Sequence, residues 1–227
     1  MRRFTFDRHA VTVDIVLFTI EKETLKVLLV KREHAPFSGK WALPGGAVEG
    51  YESVDEAALR QLQKETHVGN VYLEQLYTFG DLSRDPRGRV ITVAYYAVVH
   101  HDRFQLDALN GHGGHLFSLN RIPPLAFDHS KIIDYALERL RHKVNYTTIC
   151  FQLLPEKFTL SESQKAYEVI LRQKLDKRNF RKKMLQLNIL KGTREKRRGG
   201  ARRPAQLYSF TESKVLKLQE RGILIPF

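Results

Sequence analysis

The sequence predicts two domains, an α/β domain over residues 1–145 and a winged helix-turn-helix domain over residues 146–227. Three observations predict this division. Four strand-like segments surround a capped helix in the first region. In the second region, two helices and a basic hairpin follow one another. The charge also changes along the chain, because residues 1–144 contain 19 Lys and Arg against 18 Asp and Glu, whereas residues 145–227 contain 19 against 7.

Composition and charge limit the class of protein. The formal net charge of +13 lies almost entirely in the last third of the chain, which predicts a polyanion as the partner of that region. The single cysteine, Cys150, cannot form an internal disulfide, and we expect it to be a small buried residue in a reducing compartment. The apolar run at 10–20 contains Asp14 and is too short to span a bilayer. These features predict a cytoplasmic protein with no membrane partner.

Four segments of the first domain are predicted to be strands. They are rich in β-branched and aromatic residues and are bounded by charged, glycine or proline residues, which is typical of strands. The segments are VTVDIVLFTI at 11–20, LKVLLVKR at 25–32, NVYLEQLYTF at 70–79 and RVITVAYYAVV at 89–99.

Two helices are predicted beside these strands. The first begins at a capping box, in which the Ser53 hydroxyl accepts from the backbone N–H of Glu56 and the Glu56 carboxylate reaches back. An apolar face follows with helical spacing, at Val54, Ala57, Ala58 and Leu62. The second helix is predicted over 131–144, where apolar residues recur in helical phase, and we expect it to close the domain.

The stretch WALPGG at 41–46 and the helix after it resemble the signature of Nudix hydrolases, G-x5-E-x7-R-E-U-x-E-E-x-G-U, where U is aliphatic. Aligned without gaps on Gly46, the signature is matched at Glu52, Arg60, Leu62, Glu65 and Val68. It is broken at Gln61, Lys64 and His67. Alone, Pro-Gly-Gly would be an ordinary turn, but the register of the other positions favours the family. The resemblance implies a Nudix fold, an α/β/α sandwich with a mixed sheet.

The broken positions predict the loss of a metal site. Magnesium prefers oxygen ligands in near-octahedral geometry, so the family's hydrolysis needs two or three carboxylates on one helix face. Gln61 offers a neutral carbonyl and Lys64 a repelling positive charge, which leaves Glu65 nearly alone. We therefore expect no bound metal and no catalytic residues. The vestigial box comprises Glu52, Arg60, Gln61, Lys64 and Glu65. The alternative is that Glu65 and metal-bound waters still support slow hydrolysis.

Two further segments extend the resemblance over essentially the whole chain. TFGDLSRDPRGRVITVAYYAVV at 78–99 and FDHSKIIDYAL at 127–137 resemble parts of ADP-ribose-recognising Nudix domains and of NrtR-type transcriptional regulators of NAD metabolism. In that family a Nudix domain senses ADP-ribose or a related nucleotide and a winged helix binds DNA. The resemblance implies an ADP-ribose-like nucleotide as effector and no required cofactor.

Arginines and aromatic residues around the box are candidates for nucleotide binding. Guanidinium groups match phosphate oxygens, and Arg32, Arg84, Arg87 and Arg89 lie near predicted strand ends and loops. The side chain of Phe37, Trp41 or Tyr77 could stack on adenine. The predicted ligand-binding set is Arg32, Phe37, Trp41, Gly45, Gly46, Glu65 and Arg89. The alternative is that the arginines are solvated edge residues and the aromatic residues belong to the core.

The C-terminal region predicts a helix pair suited to the major groove. Thr159 and Glu162 form a second capping box, and Asp176 is the expected N-cap of the next helix. On that helix the apolar residues Phe180, Met184 and Leu187 share one face. Arginine and asparagine can read base edges and lysine can contact phosphate. The DNA-binding residues predicted there are Lys177, Arg178, Asn179, Arg181 and Lys182.

The following stretch, LNILKGTREKRRGGARRPAQLYSF at 187–210, resembles a wing. Two strand-like pieces flank a basic tip at which Gly199 and Gly200 let the backbone turn. Such a hairpin can follow a phosphate backbone or enter the minor groove. Its predicted DNA contacts are Arg194, Lys196, Arg197, Arg198, Arg202 and Arg203. The alternatives are a solvated charge run, or a patch for RNA or acidic lipid.

Three classes of function fit these features. We favour a ligand-responsive transcriptional regulator that acts as a homodimeric repressor on double-stranded operator DNA. The second class is an active ADP-ribose diphosphatase with a nucleic-acid-binding C-terminal domain, which Gln61 and Lys64 disfavour. The third is an RNA-binding or RNA-processing Nudix protein, which is disfavoured because the C-terminal region lacks an exposed aromatic platform for stacking single-stranded RNA.

Overall fold

The structure is a computed structural model that describes residues 9–67, 71–103, 113–197 and 204–211. Up to residue 144, four strands precede a helix, and three more strands precede a second helix. In chain order these elements are β1 (Ala10–Glu21), β2 (Thr24–Lys31), β3 (Trp41–Ala42), β4 (Gly45–Ala47), α1 (Val54–Thr66), β5 (Tyr72–Phe79), β6 (Val90–Val98), β7 (Gly114–Ser118) and α2 (His129–Val144).

The C-terminal region adds two helices and three strands. A short 3-10 helix at Ile149–Leu153 precedes them. The elements are β8 (Lys157–Phe158), α3 (Leu160–Leu171), α4 (Lys177–Gln186), β9 (Leu190–Arg197) and β10 (Ala205–Phe210). Strand β10 lies between β8 and β9 in a three-stranded sheet. Two helices followed by a β9–β10 hairpin form the arrangement predicted for a winged helix.

The chain forms two compact units. The first contains the residues up to Phe18, Lys26–Ala97 and Arg103–Ala136. The second contains Thr19–Leu25, Val98–Asp102 and the residues from Leu137 onward, so the tip of the β1–β2 hairpin belongs to it. The predicted boundary at residues 145 and 146 was drawn from charge and sequence pattern, and it stays a prediction.

A seven-stranded sheet organises the first unit, with the order β3-β2-β1-β6-β5. Strand β4 also pairs with β1, and β7 pairs with β2. Seven consecutive residues of β1, Val13–Thr19, are buried, whereas buried and exposed residues alternate along a strand that has one solvated face. A continuous buried run indicates that both faces of the strand are covered, as in a layered α/β fold.

The four strands predicted in the first domain, the two strands predicted in the wing and all four predicted helices are present. The capping boxes at Ser53 and Thr159 and the N-cap at Asp176 are confirmed, and α2 begins at His129 rather than at residue 131. Strands β3, β4, β7 and β8 were not predicted. Cys150 is buried, as expected, and burial raises the pKa of its thiol. Within the described ranges, no helix is both long enough and apolar enough to cross a bilayer.

Candidate functional site

A cavity of about 580 Å³ lies in the first unit, over strands β1 and β4. The two strands bring Asp14 and the glycine loop to its floor. Residues from three loops complete the wall, namely Arg32, the segment 84–89 and the segment 127–129. The predicted ligand residues Arg32, Gly45, Gly46 and Arg89 therefore lie together around one space, with Arg84 and Arg87.

Arg32 and Arg89 bring positive charge to the cavity wall. Arg32 Nε donates to the Pro36 carbonyl over 2.9 Å, and its guanidinium lies 4.7 Å from the centre of the Phe127 ring. Arg89 donates to the Gly80 carbonyl. Neither guanidinium forms an ion pair with a carboxylate of the described residues. Two cations that form no ion pair within the described ranges make this cavity a candidate site for an anion.

The other two arginines of the cavity are neutralised by carboxylates. Arg84 is buried and pairs with Asp14 at 3.2 Å and with Asp128 at 2.9 Å. Arg87 pairs with Asp85 at 2.6 Å, and this hydrogen bond lowers the pKa of the Asp85 carboxyl. The buried ion pairs of Arg84 therefore stabilise the cavity wall. The Arg87 side chain is half-exposed, so one of its N–H groups can still donate to a ligand.

His129 is a residue of the cavity that the sequence did not reveal. Its Nδ1 accepts from the backbone N–H of Leu43 over 2.9 Å, and its Nε2 lies 3.5 Å from an Asp14 oxygen. Burial lowers the pKa of this imidazole. His129 thus ties the end of β3 to β1 beside the buried Arg84 pairs. Its only signal in the sequence was its place in the FDHS segment at 127–130, which contributed to the family resemblance.

The glycine loop has no room for side chains. A Cβ on Gly45 would lie 2.3 Å from the Val13 carbonyl oxygen, and one on Gly46 would lie 2.3 Å from the Gln61 amide nitrogen. These two glycines allow β4 to lie against β1 and allow α1 to approach the loop. The Gln61 amide is therefore buried against the loop, at the position where the Nudix signature has a carboxylate.

The residues of the Nudix box do not fit a magnesium ion. Glu52 forms hydrogen bonds of 2.9 and 2.5 Å with Arg60, which lower the pKa of its carboxyl to about 2. Gln61 is neutral, and Lys64 carries an exposed positive charge. Of the three positions where the signature has helix carboxylates for the metal, Glu65 alone retains one. A single carboxylate near a lysine is a poor donor set for a hard divalent cation.

The aromatic candidates differ in their surroundings. The Phe37 ring packs edge-on against Phe127 at 4.9 Å, and Phe127 itself lines the cavity. Trp41 packs against Phe117 at 4.8 Å, and Tyr77 stacks on Tyr135 at 5.2 Å. Phe37, Trp41, Tyr77 and Glu65 are not among the residues that line the cavity. Phe127 was not predicted, although its ring lies beneath the guanidinium of Arg32.

Helix α4 presents a basic face to solvent in the second unit. Phe180 and Met184 are buried, and the Phe180 ring contacts Tyr167 edge-on at 5.5 Å. The Asp176 carboxylate accepts from the backbone N–H of Asn179 over 2.8 Å, which begins the helix. The five predicted DNA-binding residues of this helix are all exposed, namely Lys177, Arg178, Asn179, Arg181 and Lys182.

The β9–β10 hairpin carries part of the predicted basic wing. Arg194 and Lys196 on β9 are exposed. Arg197 instead forms an ion pair with Glu162 of α3 and donates to the Lys157 carbonyl over 3.2 Å. Its guanidinium thus joins the tip end of β9 to α3 and β8. Arg198, Arg202 and Arg203 lie outside the described residues, as does Val68 of the Nudix box.

The two units define a class of protein, a Nudix domain joined to a winged-helix DNA-binding domain. Residues 8–136 match the family model of the NUDIX domain, and residues 150–210 match that of the NrtR DNA-binding winged helix domain. The predicted sandwich with a mixed sheet and the predicted winged helix are thereby confirmed.

Full-length relatives identify the family. The chain is 36% identical, over 88% of its length and 81% of the relative's, to the ADPR responsive transcriptional repressor NtrR of Acinetobacter baylyi. It is 38% identical to Shewanella oneidensis NrtR in complex with a 27mer DNA, with a TM-score of 0.83, over 91% of this chain and 95% of that one. The chain belongs to the NrtR family of transcriptional regulators.

The first unit also resembles a ligand-bound structure. The NUDIX domain of Shewanella oneidensis NrtR in complex with ADP ribose is 41% identical, with a TM-score of 0.53, over 60% of this chain and 90% of that one.

Proposed function

We propose that this protein is a transcriptional repressor that binds operator DNA through its winged helix and is released when ADP-ribose or a closely related nucleotide binds its Nudix domain. The genes it controls are proposed to belong to NAD metabolism. The observation that carries the proposal is the pair of guanidiniums, Arg32 and Arg89, that line one cavity without ion partners among the described residues.

A nucleoside diphosphate sugar fits the chemistry of this cavity. Its diphosphate carries charge that the two guanidiniums can neutralise, and each can donate two parallel hydrogen bonds. Gly45 and Gly46 line the cavity, so no side chain of this loop extends into it. A volume of about 580 Å³ lies within the range usual for small-molecule sites.

Double-stranded DNA fits the exposed face of α4. The helix presents arginine and asparagine, the side chains that read guanine and adenine in the major groove, from a base anchored by Phe180 and Met184. Arg194 and Lys196 lie on the adjacent hairpin, where they can contact phosphates. Specific and non-specific contacts are thus divided between two elements of the second unit.

Calorimetry with ADP-ribose tests the nucleotide site. We expect wild-type protein to bind ADP-ribose, and Arg32→Ala to weaken binding by roughly tenfold or more, because a charge-assisted hydrogen bond is lost. Arg121→Ala, an exposed arginine of the same unit outside the cavity, should bind as the wild type does. Equal affinity in the Arg32 and Arg121 variants would remove this cavity from the proposal.

Anisotropy measurements test the DNA site. A fluorescent duplex selected from a random pool by the protein itself should bind more tightly than a scrambled duplex at the same salt concentration. Saturating ADP-ribose should weaken that binding. Unchanged affinity with saturating nucleotide would contradict the sensor function even if both partners bind.

We propose that hydrolysis of ADP-ribose is absent or very slow. The double variant Gln61→Glu, Lys64→Glu should bind magnesium more tightly and gain turnover, because two carboxylates return to the face that carries Glu65. Turnover is measured as release of AMP and ribose phosphate. Robust wild-type turnover that is lost in Glu65→Gln would favour the alternative function, an active diphosphatase.

The active form is proposed to be a homodimer. One small winged helix covers a short half-site, and two related by symmetry gain affinity and specificity from half-site spacing. Sedimentation of the free protein at micromolar concentration should give a mass of twice 26.4 kDa. A monomer that stays monomeric on its selected duplex would contradict this.

A further inference from the structure

A second cavity, of about 680 Å³, lies within the second unit. The hairpin tip at 20–23, the turn at 100–102 and helix α3 contribute to its wall. The turn consists of three adjacent residues with donor side chains, His100, His101 and Asp102. The nucleotide and DNA sites proposed above do not use them.

The three side chains converge. One donor atom from each lies within 4.8 Å of the others. His101 Nε2 is 2.8 Å from one oxygen of Asp102, and His100 Nδ1 is 3.7 Å from the other. Donor atoms bound to tetrahedral zinc at about 2.0–2.1 Å lie roughly 3.3 Å from one another. The two separations from Asp102 bracket that value. His100 Nδ1 also accepts a long hydrogen bond, of 3.4 Å, from the backbone N–H of Asp102, which a bound ion would replace.

We propose that His100, His101 and Asp102 bind a divalent transition-metal ion at the wall of this cavity. Two imidazoles and one carboxylate are a nitrogen-rich donor set, which suits zinc and its neighbours in the transition series and not magnesium or calcium. Three protein ligands leave the fourth position to water, which the cavity can admit.

The charged residues around the three side chains largely neutralise one another and supply no fourth ligand, because Lys165 pairs with Glu23 at 2.8 Å. Glu162 lines the same cavity, but its Oε1 pairs with Arg197 and its Oε2 accepts from the Thr159 backbone over 2.7 Å. Both oxygens of Glu162 are therefore engaged, and Arg197, which lines the same cavity, neutralises its charge. The ring of His100 is mostly buried, whereas Asp102 is 70% exposed, so an ion can enter from the side of Asp102.

The structure also limits the expected affinity. His101 Nδ1 is buried without a hydrogen-bond partner among the described residues. Metal-binding histidines usually donate this second N–H to a carboxylate or carbonyl, which orients the ring and raises its basicity. The site is therefore expected to bind zinc more weakly than closed structural sites do, and to exchange the ion with solution.

Competition between the untagged full-length protein and a chromophoric zinc chelator tests the proposal. We expect the wild type to bind one equivalent of zinc that His101→Ala does not bind. Asp102→Asn should lower the affinity for this zinc ion by at least roughly tenfold, because even the loss of a residue that only hydrogen-bonds a metal ligand has an effect of that size. His34→Ala, an exposed histidine of the first unit, is the matched control and should retain the equivalent.

Cobalt provides a second readout that ordinary surface binding does not give. Four-coordinate cobalt in the wild type should show visible ligand-field absorption that is lost in His101→Ala and Asp102→Asn and is unaffected by excess magnesium. Because Asp102 is exposed, Asp102→Asn keeps the test valid if His101→Ala fails to fold. Equal zinc stoichiometry in the wild type and both variants would overturn the proposal, as would a wild type that binds no zinc.

Discussion

Gly45 illustrates how one missing side chain allows β4 to lie close to β1. An added Cβ would lie 2.3 Å from the Val13 carbonyl oxygen, which belongs to the strand beneath and cannot rotate away. We expect Gly45→Ala to lower the free energy of unfolding by about 1–3 kcal/mol, the usual cost of overpacking. Urea denaturation followed by the fluorescence of Trp41, the sole tryptophan, measures the change in the first unit.

Gly50 provides the matched control. A Cβ there would meet nothing within 4 Å, so Gly50→Ala should leave the unfolding midpoint nearly unchanged. Gly46→Ala should be intermediate, because the group it would meet is the end of the Gln61 side chain. If Gly45→Ala and Gly50→Ala unfolded at the same urea concentration, the close approach of β4 to β1 would not explain why residue 45 is a glycine.

His129 predicts a pH dependence of stability. Burial in the folded protein lowers the pKa of His129 below 6.5, the ordinary value of a histidine. The unfolded chain therefore binds a proton at this imidazole more readily than the folded protein does. The stabilisation that neutral His129 contributes to the folded protein is present above pH 6.5 and is lost as the pH falls below 6.5. Between about pH 6.5 and pH 5.5, wild-type stability should fall by up to about 1.4 kcal/mol per pH unit from this group.

His129→Gln isolates that contribution. Glutamine can still accept a hydrogen bond from the Leu43 amide but does not titrate, so the stability of this variant should depend less steeply on pH between the same limits. Denaturation curves followed by Trp41 fluorescence at several pH values give the two slopes. Identical slopes would assign the pH dependence to other groups of the first unit.

The sequence predicted the charged residues of the cavity better than it predicted their partners. Arg32 and Arg89 could be proposed because guanidiniums suit phosphates and both lie beside predicted strands. That Asp14 and Asp128 would neutralise Arg84 could not be foreseen, because these residues are far apart in the chain and meet only through the fold. Which arginine stays available to a ligand is therefore a property of tertiary structure.

Elements were predictable where local chemistry determines their ends. The capping boxes at Ser53 and Thr159 and the N-cap at Asp176 fix helix starts through bonds between residues three apart, which the sequence shows directly. Strands β3 and β4 contain two and three residues, too few to show alternation. They exist because β2 and β1 provide partners, with Val30 opposite Ala42 and Val13 opposite Gly46.

Helix α4 and strand β9 are expected to contribute differently to DNA binding. Arg178→Ala should reduce the preference for the selected duplex over a scrambled one by about 1–3 kcal/mol, because a base contact is lost. Arg194→Ala should weaken binding to both duplexes equally and reduce the salt slope by roughly 0.9, because one phosphate contact is lost. Anisotropy titrations of both duplexes at several salt concentrations separate the two effects.

Arg194 is a sharper probe of the wing than Arg197. The Arg197 guanidinium pairs with Glu162, so its removal also breaks a contact between β9 and α3. Arg121→Ala in the first unit is the control and should change neither specificity nor salt slope. A loss of specificity in Arg194→Ala without a change of slope would show that the wing reads bases instead of phosphates.

For the whole molecule, the division of charge was the most informative feature of the sequence. The excess of basic residues after residue 144 predicted a polyanion partner for that region alone, and residues 150–210 match a DNA-binding family. The choice of effector did not follow from charge, because any nucleoside diphosphate carries the groups that two arginines recognise. ADP-ribose was predicted as the effector because the first domain resembles ADP-ribose-recognising proteins.

The last prediction joins the two sites. If ADP-ribose weakens the binding of operator DNA by a given factor, DNA must weaken the binding of ADP-ribose by the same factor, because the coupling free energy belongs to the pair. A coupling of about 1–3 kcal/mol is expected. Anisotropy with and without ADP-ribose gives one factor, and calorimetry of ADP-ribose with and without saturating duplex gives the other.

Variants assign this coupling to the cavity. Arg89→Ala, which removes a cationic side chain of the wall, should bind DNA as the wild type does in the absence of nucleotide and should need far more ADP-ribose for release. Arg121→Ala should behave as the wild type in both titrations. Two unequal factors in the wild type would mean that a second nucleotide site or a change of oligomeric state contributes to the response. Suppose instead that the two factors are equal in the wild type and that Arg89→Ala shows no change in DNA affinity at the ADP-ribose concentrations that release the wild type. This cavity would then be the site from which DNA binding is controlled.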